Sequence, residues 1–196
     1  MPERQASCSY FDKPGAANTL RTLQLAGMRA KELGIEYVVV ASSTGKTGAM
    51  ASVLFAEQKL VVVTHSTGFH SPNEQRLDPR HQAQIEKVGG RILTCQHALG
   101  GIGRAVRRKL GTYQIDEIIA FTLRNFCQGI KVACEITVMA ADAGLVPAGQ
   151  EIIAIGGTGG GADTAAVLLA ANAQDFFDLR VLEIICKPRM EKIREG

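Results

Sequence analysis

Hydrophobic spacing divides the chain into two kinds of segment. Residues 36–41 (EYVVVA), 59–64 (KLVVVT) and 151–155 (EIIAI) are apolar runs rich in β-branched side chains, without polar alternation. Such runs mark strands covered on both faces. Shorter runs at 91–94 and 180–186 bring the predicted strands to about five. Between them, apolar residues recur at helical spacing. Leu20, Leu23, Gly27 and Ala30 share one face of a helix that Asn18 or Thr19 opens and Gly34 stops. Further helices are predicted over about 48–57, 79–88, 102–110, 115–126, 129–143 and 162–171, with residues 187–196 as a solvated tail. Strands alternating with helices predict a single α/β domain over 1–196: three layers, αβα, around a mostly parallel sheet.

Composition narrows the function more than the fold. With 196 residues the chain suits one domain with a sizeable core, and 46% hydrophobic content argues against disorder. A net charge of +3, dispersed along the chain, lacks the concentrated basic face that nucleic acid demands. Cys8, Cys95, Cys127, Cys134 and Cys186 form an odd set with no Cys-x-x-Cys spacing, so reduced thiols are expected, and neither disulfides nor bound metal. The first nine residues are polar, unlike a signal peptide. No apolar run approaches the ~20 residues of a membrane helix. A cytoplasmic protein without a membrane partner is the expectation. Oligomeric state stays open, since apolar helices such as 130–138 suit either core or interface.

Open α/β sheets bind ligands beyond the carboxyl ends of their strands. The turn after the first buried strand reads Ser42-Ser43-Thr44-Gly45-Lys46-Thr47. It offers four hydroxyls, backbone amides at a helix N-terminus and the Lys46 ammonium, the donor set a phosphate group needs. A bare helix cap needs only one of those hydroxyls. Walker A fits at Gly45-Lys46-Thr47, but Val40 stands where its first glycine belongs, and no strand ends in a magnesium-binding acid. A nucleotide hydrolase is therefore disfavoured. The flavodoxin phosphate loop, [ST]-x-T-G-x-T between strand and helix, fits at every fixed position.

A second loop, Gly156-Gly157-Thr158-Gly159-Gly160-Gly161-Ala162-Asp163, follows the fourth strand. Its glycines let backbone approach a ligand closely. Gly157-x-Gly159-x-x-Ala162 matches the dinucleotide fingerprint in form, though too little chain follows for a Rossmann half. The alternative is close packing of a helix on its strand, with Asp163 or Thr164 as N-cap. Gly157, Thr158, Gly159, Gly160, Gly161 and Asp163 are candidate ligand contacts. His65 and Thr67 follow the second strand and should reach the same rim, with His70 as a further donor and Phe69 as a stacking surface. Arg104, Arg107, Arg108 and Lys109 read as a solvated face or a second anion site, and Cys127 as a buried thiol. No Ser-His-Asp order, carboxylate pair or metal-ligand spacing emerges.

These motifs carry a family resemblance. YFDKPG at 10–15, VVVASSTGKT at 38–47, VMAADAGL at 138–145 and GGTGGGADTA at 156–165 resemble the small stand-alone prokaryotic proteins named for the C-terminal α/β domain of pyruvate kinases. In the kinases a loop equivalent to 42–47 binds the phosphate of a sugar-bisphosphate effector. The resemblance implies that fold, an uncertain physiological role and no pyruvate kinase activity, which belongs to a (β/α)8 barrel of about 250 residues. The chain has no Trp for the loop that clamps sugar bisphosphate in some of the kinases, and Lys46 adds a charge where many have none. The flavodoxin-like spacing makes flavin mononucleotide (FMN) the expected cofactor. The alternative is a non-catalytic sensor of a phosphorylated sugar or nucleotide.

Overall fold

The computed structural model describes residues 3–189. The elements run β1 (Ser9–Phe11), α1 (Thr19–Leu33), β2 (Tyr37–Ala41), α2 (Lys46–Leu54), β3 (Lys59–Val63), α3 (Pro79–Lys87), β4 (Arg91–Leu93), α4 (Ile102–Leu110), α5 (Ile115–Arg124), α6 (Gln128–Asp142), β5 (Glu151–Gly156), β6 (Thr164–Leu169) and β7 (Arg180–Pro188), with short 3-10 turns at Ala16–Asn18 and Ala173–Asp178. The expected αβα layering is found. One sheet of seven strands runs in the order β1-β7-β6-β5-β2-β3-β4.

Strand alternation builds two cores. Val38, Val40, Leu60, Val62, Ile153 and Ile155 point to one face and meet α1, α2 and Ile85 of α3. Val39, Val61, Val63, Ile152 and Ala154 point to the other and meet α6. Helix α6 is covered nearly all round, so even its Lys131 and Glu135 are buried among its apolar residues. Helix α1 ends as expected: Gly34 takes the left-handed conformation at φ +65°.

Three expectations are corrected. The segment expected as a helix at 162–171 is strand β6, antiparallel to both β5 and β7. Its alanines favour a helix in isolation, but the position between β5 and β7 buries both faces and supplies a ladder on each edge. Consequently the glycine loop closes a β5–β6 hairpin instead of opening a helix. Gly159, Gly160 and Gly161 turn the chain at φ +69°, +133° and +67°. The sheet also has seven strands, not five, because β1 and β6 join it. Finally, residues 187–188 of the expected tail belong to β7, and 190–196 lie outside the described residues.

All five cysteines are free thiols. Among the described residues no helix is long and apolar enough to cross a membrane.

Candidate functional site

Strands β2 and β5 are central parallel neighbours, paired through Val40 and Ile155. The chain leaves β2 towards β3 on one side, while β5 lies on the other. This is the switch point where an open sheet parts its loops into a crevice. A cleft of about 780 Å³ opens there. Ser42, Ser43, Thr44, Lys46 and Thr47 form one wall, and Gly157, Gly159, Gly160 and Gly161 another. His65, Phe69, His70 and Arg76 close a third side. The two loops singled out from sequence therefore meet in one cleft.

The β2–α2 turn is held from behind. The Ser42 amide donates to the Val63 carbonyl, and the Ser42 hydroxyl accepts from the Gly48 amide at 3.1 Å, which makes it a cap for α2. The Thr44 carbonyl accepts from the Asp78 amide and from His81 Nδ1 at 2.9 Å, so α3 anchors the turn. The amides of Ser43, Thr44, Lys46 and Thr47 find no acceptor among the described residues. With the α2 N-terminus they form a patch of positive potential. Lys46 is exposed and takes part in no ion pair among the described residues.

Gly45 is required by this turn. It sits at φ +81°, and a Cβ there would lie 2.7 Å from both His81 Cβ and Leu77 Cδ1. We expect Gly45→Ala to destabilise the protein by about 1–3 kcal/mol, the usual cost of a strained backbone. Urea titration would show this as a lower midpoint at unchanged slope.

Other sequence candidates take different places. Gly45 turns its back on the cleft, and Thr158 does not line it. Thr67 lines a separate cleft of about 540 Å³ with Gln75, Leu77 and Gln82. Asp163 is fully buried and caps no helix: its carboxylate accepts from the Gly15 amide and the Thr164 hydroxyl, both at 2.8 Å. It thus ties the N-terminal segment down, setting Ala16 and Ala17 along the cleft. Cys127 is buried as expected, its sulfur accepting from the Ile130 amide at the start of α6. Arg107 pairs with Glu117 at 2.9 Å, and the Arg104 guanidinium lies over the Phe69 ring, 4.8 Å from its centre.

Sequence reasoning missed Arg76, Met50, Gln128 and Val132, all of which line the cleft. It also missed a side-chain pair. Ser43 Oγ lies 3.1 Å from His65 Nε2. The register of β2 and β3 explains this: Ala41 pairs with Val63, and each residue stands two positions beyond its strand's paired end. His65 stacks at 4.2 Å on Phe69 and lies 5.4 Å from the His97 ring. Burial, followed by the neighbouring His97, His70 and Arg76, lowers its pKa to about 4, so it is neutral at pH 7.

Behind the aromatic cluster lies a buried ionic group. Glu135 accepts from Lys131 Nζ at 2.5 Å and from the Leu99 amide at 3.0 Å, and faces His97 Nδ1 at 3.6 Å. Burial alone would raise its pKa, but the facing His97 ring and the Lys131 ammonium together outweigh that and hold it at about 2.

The family model described as pyruvate kinase, alpha/beta domain, matches residues 20–168. That span runs from α1 into β6 and includes both cleft-lining loops, while β1 and β7 lie outside it. This chain belongs to the pyruvate kinase alpha/beta domain family.

Proposed function

We propose that the cleft binds a phosphorylated small molecule, with FMN as the preferred ligand. The observation that carries this reading is the meeting of the Ser42–Thr47 turn and the Gly157–Gly161 loop at the carboxyl ends of β2 and β5. The phosphate would lie against the unpaired amides of Ser43, Thr44, Lys46 and Thr47, with the Lys46 ammonium as counter-charge. Leu20, Met50, Val132 and Phe69 give the cleft apolar surface for a ring system, and the glycine backbone gives close approach. A bound flavin would supply redox chemistry, and the protein would orient and tune it.

The visible spectrum of freshly purified protein tests this directly. Bands near roughly 370 and 450 nm, properties of the oxidised cofactor, are expected, or their perturbation when FMN is titrated into colourless protein. Protein that is colourless and leaves added FMN unperturbed would defeat the flavin reading.

The second reading is a non-catalytic sensor of a phosphorylated sugar or nucleotide. Its support is Arg76, a second cationic side chain lining the cleft besides Lys46, which suits a ligand with more than one anionic group.

A further inference from the structure

The contact between Ser43 and His65 goes unused in a phosphate-binding role. A serine hydroxyl is a poor nucleophile until a base takes its proton. Here Ser43 Oγ stands 3.1 Å from His65 Nε2, and both groups line the cleft. The order of elements is that of a nucleophile turn: strand β2, then Ala41-Ser42-Ser43-Thr44-Gly45, then helix α2, with the left-handed conformation at Gly45 (φ +81°) and not at Ser43. Small residues stand two places before and two after Ser43, as in the strand–G-x-S-x-G–helix elbow, with alanine for the first glycine. The adjoining Thr44, Lys46 and Thr47 amides have no acceptor among the described residues, and such donors can face a developing oxyanion.

A second buried imidazole stands behind the base. His65 Nδ1 and His97 Nε2 are both buried without a hydrogen-bond partner. With Nε2 accepting from Ser43, neutral His65 carries its proton on Nδ1. The two rings lie 5.4 Å apart by their centres, and His97 Nδ1 faces the buried Glu135 carboxylate at 3.6 Å.

We propose that Ser43 is a nucleophile activated by His65, and that the cleft hydrolyses small carboxylic esters bearing an anionic group. Ser43 Oγ forms a bond to the ester carbonyl carbon while its proton passes to His65 Nε2. The carbonyl electrons move onto oxygen, which the turn's amides receive. They return as the bond to the leaving alcohol breaks, and that oxygen takes the proton from His65. Water then attacks the acyl-serine, giving its proton to His65. Collapse of this second adduct releases the carboxylic acid and restores the Ser43 hydroxyl. Water is the only co-reactant. Because His65 is neutral at pH 7, its Nε2 lone pair is available, and the nearby oxyanion offsets the imidazolium charge formed in the step. Lys46 and Arg76 at the cleft account for the anionic group on the substrate.

A fluorophosphonate probe tests the nucleophile without knowledge of the substrate. The folded protein should take up about one equivalent, mapped by peptide mass spectrometry to Ser43. Ser43→Ala should take up none, and His65→Gln should react on the order of 100-fold more slowly, the lower end of what general-base catalysis contributes. Circular dichroism establishes that each variant is folded. An unlabelled wild-type protein, a label on another residue, or a His65→Gln rate equal to wild type would each overturn the proposal. The same amides would hold an FMN phosphate, so labelling is done on FMN-free protein, and FMN titration of a separate unlabelled portion keeps the two roles apart. Protein that takes no label but binds FMN loses the nucleophile alone, and protein that takes the label but ignores FMN loses the flavin alone.

Discussion

Glu135→Ala should destabilise the protein by about 3–5 kcal/mol, the cost of stranding one partner of a buried ion pair. For a chain of this size that lowers the midpoint of thermal unfolding by about 6–20 °C. Glu135 and Lys131 are 3% and 4% exposed, so neither charge can turn to water when its partner is removed. The substitution also orphans the Leu99 amide and leaves His97 without its carboxylate. A second variant separates charge from packing. Lys131→Met with Glu135→Gln removes both charges, while the glutamine oxygen still accepts from Leu99, so most of the lost stability should return. If the double variant were as unstable as Glu135→Ala, the ion pair would not be the cause.

The same group sets an acid limit. Glu135 has its folded pKa lowered from 4.5 to about 2. A lowered carboxylate contributes stability that is fully present above the unfolded value and is lost as the pH falls through the folded one. Between pH 4.5 and 2 the unfolded chain binds a proton that the folded one refuses, at about 3 kcal/mol in total. Chemical denaturation across this range should show a shallower decline in the double variant than in the wild type.

Sequence and structure agree where the signal was local. The VVV runs of β2 and β3 are apolar on both faces because helices cover both, and no other element accommodates such a run so well. Gly34 ends α1 because a left-handed residue was needed there. β6 departs from the expected helix for a physical reason: a short apolar run rich in alanine suits a strand or a buried helix equally, and only its neighbours decide. β1 is three residues whose pairing with β7 lies far along the chain, so no local pattern marks it.

The candidate site divides in the same way. The rule that ligands gather at strand carboxyl ends found both cleft-lining loops, because each directly follows a central strand. Asp163 looked like a helix cap from its position after the glycines, yet its carboxylate serves the Gly15 amide far along the chain. The Ser43–His65 pair depends on the register of β2 against β3, which spacing alone does not reveal. Arg76 reaches the cleft from a loop whose course no periodicity predicts.

Thr44→Ala combined with Lys46→Ala should weaken FMN binding on the order of 100-fold, the factor carried by two charge-assisted hydrogen bonds. Riboflavin, the same ring without phosphate, should bind both proteins alike. Neither side chain supports the turn: Thr44 is anchored through its carbonyl and Lys46 is exposed, so stability should change little. Because Lys46 stands in solvent, part of the wild-type advantage should fade as salt rises from about 0.05 to 0.5 M. The backbone amides stay in place in the variant, so some preference for FMN over riboflavin should remain. Fluorescence titration with the two ligands reads the difference. An equal loss for both would mean that the turn shapes the ring pocket and leaves the phosphate elsewhere.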